Sequence, residues 1–181
     1  MEIKGSEQIA APRAIVWRVL NDTIILQPCI DGCEKLERVT ENRIDAVLKL
    51  RLGLINLRFR GSLLLSDISP PVSYIIAGEG RGALSGLATG KTYVRLEEIG
   101  WSELPAAKRR EIEKKGGKAA GRQRAARFAT RLVYHMHGTA GGKLAQFGSK
   151  MLSTVAGKIA ARFFAKLAAV CEAEAERGGG G

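Results

Sequence analysis

The sequence predicts an α+β fold in which a curved antiparallel sheet of about seven strands wraps one long C-terminal helix, with two short helices after the first strand. Hydrophobicity alternates with period two from residue 34 to 96 and again from 131 to 139, as half-buried antiparallel strands require. Apolar residues then recur at spacings of three and four from 144 to 170, as an amphipathic helix requires. Two of the strands carry small residues on their inner face, which leaves room for another element or for a ligand. With 181 residues, 45% of them apolar, the chain can build one core without staples; residues 1–177 read as a single domain and 178–181 as a disordered glycine tail.

Ile3, Gly5, Glu7 and Ile9 share one side of the first strand, which stops at Ala11 and Pro12. Pro12 suits the first turn of a helix, where an N–H would go unpaired anyway, and Val16, Val19 and Leu20 with Trp17 give that helix one apolar stripe. A second helical turn over residues 24–26 ends at Pro28, and Asp31 and Gly32 lead into extended structure near Glu34. Next, Ile44, Ala46, Leu48, Leu50 and Leu52 face one way and Arg43, Asp45, Val47, Lys49 and Arg51 the other, until Gly53 turns the chain. The following strand points Ile55, Leu57, Phe59, Gly61, Leu63 and Leu65 inward and ends at Pro70 and Pro71.

The two strands after that carry Tyr74, Ile76, Gly78 and Gly80, then Gly86, Ala88, Gly90, Thr92, Val94 and Leu96 on their inner face. Sheet curvature with close helix packing, or a bound ligand, accounts for such small residues. Residues 97–127 interrupt the alternation as a basic insertion, with a helix over 104–115 led by Pro105. The last strand resumes at Arg131, with Leu132, Tyr134, Met136 and Gly138 on one face and Val133, His135, His137 and Thr139 on the other. The terminal helix is expected to start after Gly142, to lay Leu144, Phe147, Met151, Val155, Ile159, Phe163, Leu167 and Val170 along the sheet, and to fray at its end.

From this arrangement the candidate lining of a hydrophobic pocket is Leu48, Leu57, Phe59, Leu63, Tyr74, Ile76, Ala88, Val94, Tyr134 and Met136, with Phe147, Met151 and Val155 across from them on the helix. Core packing alone explains any one of these residues; the pocket is a collective inference. Such a lining would hold a prenyl or acyl chain at about 0.8 kcal/mol per buried CH₂, without polar machinery.

The net charge of +11 favours phosphate-bearing or acidic partners. The apolar hairpin tip Leu52, Gly53, Leu54 and Ile55, flanked by Arg51 and Arg58, reads either as a contact with a membrane or partner or as a lid over the pocket mouth. Between residues 105 and 127 nine basic residues stand against two acidic ones, so +7 of the net charge lies there. That run reads as a solvated loop, or as a lipid-headgroup contact including Lys114 and Lys115. Nucleic acid is unlikely as a partner, because only Trp101 and Phe128 border the run and no aromatics interleave to stack bases.

His135 and His137 alternate outward with no carboxylate or thiol placed beside them, and Cys29 and Cys33, spaced C-x-x-x-C, lack a second pair, so no metal site is expected. Three cysteines, no basic-then-apolar leader and no run of roughly 18 apolar residues point to reduced thiols and a cytoplasmic, peripherally membrane-associated protein.

Four segments carry a family resemblance: the opening MEIKGSEQIAAPRAIVWRVLND, then IDGCEKLE, then GRGALSGLATGKTYVRL, then HGTAGGKLAQFGSKML followed by Phe163 and Phe164. In order and spacing they resemble the helix-grip fold of START and Bet v 1 type, and within it the CoxG family of carbon monoxide dehydrogenase subunits. Where that family usually has Ile or Leu, Pro and Gly before the cysteine, this chain has Ile30, Asp31, Gly32 and Cys33. The basic insertion also departs from the pattern. Longer members carry a membrane-binding tail, and with the sequence ending at Gly181 that route is expected to be absent.

The resemblance implies an accessory role without catalytic residues or a covalently bound cofactor. It implies a bound quinone or lipid, and a partnership with a molybdenum-containing carbon monoxide dehydrogenase or related hydroxylase at an anionic membrane surface. Two other readings stand beside it: a cyclase- or hydrolase-like enzyme of the same fold, for which the inward strand positions offer only Tyr74, Tyr134 and Thr92, and an assembly factor with a filled interior.

Overall fold

The computed structural model describes residues 1–82, 86–115 and 128–178. The chain runs β1 (Glu2–Ile9), α1 (Arg13–Asn21), α2 (Thr23–Leu26), a 3₁₀ turn (Gln27–Cys29), β2 (Cys33–Thr40), β3 (Arg43–Leu52), β4 (Ile55–Ser69), β5 (Ser73–Gly82) and β6 (Gly86–Gly100). After a 3₁₀ turn at Trp101–Glu103 come α3 (Ala106–Lys115), β7 (Phe128–Ala140), a further 3₁₀ segment (Gly142–Phe147) and α4 (Ser149–Gly178). The seven strands form one antiparallel sheet in the order β1-β7-β6-β5-β4-β3-β2, so the last strand closes onto the first. This is the expected helix-grip architecture.

Strand register puts the apolar sets opposite one another: Ile44 faces Leu63, Leu48 faces Phe59, and Tyr74, Val94 and Tyr134 lie in one row across β5, β6 and β7. Gly5 pairs with Tyr134, whose ring occupies the place a Cβ would take, so only glycine lets the ring lie across β1. Against this face sit Val16 and Val19 of α1 and Phe164, Leu167 and Cys171 of α4, all buried in one cluster with Ile9, Leu96 and Leu132. Burying that apolar surface, at roughly 25 cal/mol per Å², is what holds helix to sheet. The buried Thr130 hydroxyl is satisfied, donating to the Ala11 carbonyl at 2.7 Å. Asp22 caps α2 by accepting from the Ile24 and Ile25 amides.

The structure corrects the sequence reading in three places. β6 continues to Gly100 and β7 already begins at Phe128, so the interruption is shorter than residues 97–127. What lies between includes α3, which packs Ile112 with Leu104, Ile99, Ala10 and Ala129, and Lys108 pairs with Glu172 of α4 at 2.7 Å. The basic run over 116–127 lies outside the described residues.

The terminal helix also starts later than expected. Leu144 and Phe147 belong to a 3₁₀ segment, Gly148 breaks the chain at φ +75°, and α4 proper then runs 30 residues, about 45 Å. It passes the expected fraying point and reaches Gly178, while the tail from 179 onward lies outside the described residues. As a consequence Met151, expected to face the sheet, is 42% exposed.

Candidate hydrophobic ligand site

Between α4 and the sheet lies an apolar cavity of about 380 Å³, within the usual ~300–1,000 Å³ of small-ligand pockets. Its sheet side is built from alternate residues of the inner face: Ile44, Leu63 and Leu65, Tyr74 and Ile76, Val94, and Tyr134 and Met136. The helix side is Ala156, Ile159, Ala160, Phe163 and Phe164, and Leu26, Ile30 and Leu36 wall it from α2, the loop after it and β2. Ala156 and Ala160 stand one turn apart on the same face, so over that turn the helix presents methyl groups where larger side chains would have reached the strands. The space follows from that shortfall.

A second cavity of about 300 Å³ continues the first and shares Leu63, Ile76, Thr92 and Met136 with it. Here the glycines matter: Gly61, Gly78, Gly80 and Gly90 line it, together with Leu48, Leu50, Phe59, Ala88 and Leu144. Leu57, Phe147 and Val155 pack behind these as a small apolar cluster with Phe59 and Leu144.

The structure therefore brings nine of the expected pocket residues to the cavities: Leu63, Tyr74, Ile76, Val94, Tyr134 and Met136 at the first, Leu48, Phe59 and Ala88 at the second. Leu57, Phe147 and Val155 line neither, and Met151 points to solvent. Sequence reasoning placed Ile159 and Phe163 in the helical stripe and quoted Phe164, yet left all three out of the pocket. It missed Ala156 and Ala160 altogether, although two alanines four apart within that stripe were the legible signal.

In the first cavity the polar side chains are the hydroxyls of Tyr74, Tyr134 and Thr92; its lining contains no carboxylate, imidazole or amine. Tyr74 is buried, and burial pushes its phenol well above the ordinary tyrosine value; desolvation raises Tyr134 as well. Both therefore stay neutral at physiological pH. Tyr134 stacks on Phe164 with centroids 4.5 Å apart, and Tyr74 meets the edge of Trp17 at 5.3 Å, which fixes both rings at the cavity wall.

At the surface, Leu54 is 94% exposed and Ile55 is exposed beside it, so the β3–β4 tip projects into solvent and is not a lid. Arg51 donates from Nε to the Gly53 carbonyl. Arg58 pairs with Glu34 at 2.7 Å, a correction to the expectation that it stands ready for phosphates. Lys114 is exposed on α3, while the side chains of Leu52 and Lys115 lie outside the described residues. His135 pairs with Glu2 on the outer face. Cys29 and Cys171 are buried, Cys33 is half-buried, and all three thiols are free. Among the described residues no group of three His, Cys, Asp or Glu side chains is placed to hold a metal ion, and no helix is long and apolar enough to cross a membrane.

Proteins of known structure share this architecture. A conserved protein from Geobacillus kaustophilus, of known crystal structure, is 24% identical with a TM-score of 0.73, over 94% of this chain and 95% of that one. The Zhui aromatase/cyclase from Streptomyces sp. R1128 is 14% identical with a TM-score of 0.57, over 95% of this chain and 93% of that one. At such identities the likeness concerns the fold. No curated protein matches. Residues 5–104 match the CoxG family of carbon monoxide dehydrogenase subunits, more than half of the chain and all of the sheet up to β6. With β1 to β6, both short helices and the loop at Asp31 inside that match, the chain belongs to the carbon monoxide dehydrogenase CoxG family.

Proposed function

We propose that the protein is a non-catalytic accessory that binds a hydrophobic molecule, a quinone or lipid, and links a molybdenum-containing carbon monoxide dehydrogenase or related hydroxylase to the membrane. The observation that carries this reading is the apolar cavity, which is walled by hydrophobic side chains from both helix and sheet and has no ionisable group suited to acid–base work at neutral pH. Family membership supports the enzyme partner. The projecting Leu54 and Ile55, with Arg51 beside them, support the membrane contact, each nearby cation contributing about 1 kcal/mol at an anionic surface.

Extraction of the purified protein with organic solvent, followed by mass spectrometry, tests the ligand: a quinone or lipid in near-stoichiometric amount is expected, and an empty extract from protein that also refuses added quinone counts against the reading. Flotation with phosphatidylcholine–phosphatidylglycerol vesicles tests the tip. Leu54→Asp is expected to weaken vesicle binding about fivefold or more, and unchanged binding would remove the tip from the account. The cyclase-like alternative has two neutral phenols and one threonine hydroxyl to work with in this cavity, a poor set for enolate or hydrolytic chemistry.

A further inference from the structure

Ile30 and Leu36, which wall the main cavity, also line a surface hollow of about 490 Å³ whose other walls include Gln27, Asp31, Cys33 and Lys166. An apolar chamber and a polar one thus meet across two aliphatic side chains. The segment carrying Ile30 is fixed on one side to the root of the β3–β4 hairpin. There the Lys49 amide donates to the Gly32 carbonyl at 2.8 Å, and Glu34 pairs with Arg58. Gly32, at φ +74°, lies so close to the Lys49 carbonyl that no side chain would fit, so this attachment is tight.

On its other side the segment meets α4, where Asp31 pairs with Lys166 and, at 3.5 Å, with Arg162. Between those two cations in sequence stands Phe163, which lines the cavity. The seam between segment and helix is therefore closed by an exposed ion-pair cluster over an aliphatic contact, the kind of bond that opens at little cost. The Asp31 carboxyl is held below its ordinary value, first by the hydrogen bond from Lys166, so the cluster is fully charged at neutral pH.

We propose that this hollow is the mouth of the cavity and the seat of the polar end of an amphiphilic ligand. The apolar body passes Ile30, Leu36 and Phe163, while a head bearing carbonyl or hydroxyl oxygens stays outside within reach of the Lys166 ammonium. Passage requires Asp31 to release α4, so the Asp31–Arg162–Lys166 cluster is a latch. The mouth rests on the carrier reading above and adds to it where the ligand enters and what kind of head it bears. It also opens beside β3, the strand that runs out to the exposed Leu54 tip, so a docked hairpin sets the mouth next to the bilayer.

Stopped-flow quenching by decylubiquinone tests this in the full chain. Of the two tryptophans, Trp17 lies against Tyr74 of the cavity wall, and Trp101→Phe removes the other signal. Asp31→Asn is expected to raise the association and dissociation rates together by about three- to tenfold, with affinity changed less than about threefold. Ile30→Trp is expected to slow both by about tenfold or more. Salt at 1 M is expected to bring the parent toward the Asp31→Asn rates and to leave that variant unchanged, an arm that needs no variant to fold. If decylubiquinone binds but neither the variants nor salt alter the rates, the mouth lies elsewhere and the carrier reading stands. If it does not bind the parent at all, the carrier reading falls and the mouth with it.

Discussion

Cys171 sits on α4 with no exposed surface, and burial pushes its thiol up to about 12; Cys29, also buried, is raised for the same reason. A group whose folded pKa is raised contributes stability that is complete below the unfolded value, near 8.5–9, and is lost as pH rises towards the folded one. Stability of the reduced protein is therefore expected to fall between about pH 9 and 12, and Cys171→Val is expected to flatten that fall in urea unfolding curves. A thiol reagent at pH 8 is expected to modify Cys33 first, because it is half-buried, and to reach Cys29 and Cys171 only on unfolding. Rapid labelling of all three in the native protein would contradict the burial described. The sequence showed an odd cysteine count without a metal pattern, but it could not show which thiols the terminal helix would cover.

Among the elements, strands were the most legible, because an alternating pattern can satisfy only one buried face and a slip of one residue would expose it. The meander of β3, β4, β5 and β6 followed the period-two reading closely. The helix start did not. Leu144 and Phe147 continue the three-and-four spacing, so nothing in hydrophobicity marks the break that Gly148 makes. Gly148 lies at φ +75° and ψ 151°, a region that side chains disfavour, and a Cβ there would meet no neighbouring atom. Gly148→Ala is expected to cost about 1–3 kcal/mol in equilibrium urea unfolding, from backbone strain alone. A neutral result would mean the 3₁₀ segment and α4 tolerate another junction. The end of β6 was misread for a related reason: Glu97 and Glu98 look like loop residues, yet they belong to a strand and pair there with Arg131 and Thr130.

For the molecule as a whole, the sheet half of the site was legible and the helix half was not. Small inward residues on β5 and β6 announced spare room, and the structure places them at the second cavity. The first cavity depends on which turn of α4 faces the sheet, and that was set by the unpredicted break at Gly148. With the helix starting later than expected, Ala156 and Ala160 come over the middle of the sheet and Met151 turns outward. The apolar tip at Leu54 was visible in the sequence, but its direction was not, since the same residues fit a lid. The central claim is that the space between α4 and the sheet receives a hydrophobic ligand. It is tested most directly by calorimetric titration of delipidated protein with decylubiquinone, comparing the parent with Ala160→Trp, which fills the first cavity from the helix side. The account predicts binding of one equivalent by the parent and affinity weakened about tenfold or more in the folded variant; no binding by the parent, or equal binding by both, would contradict it.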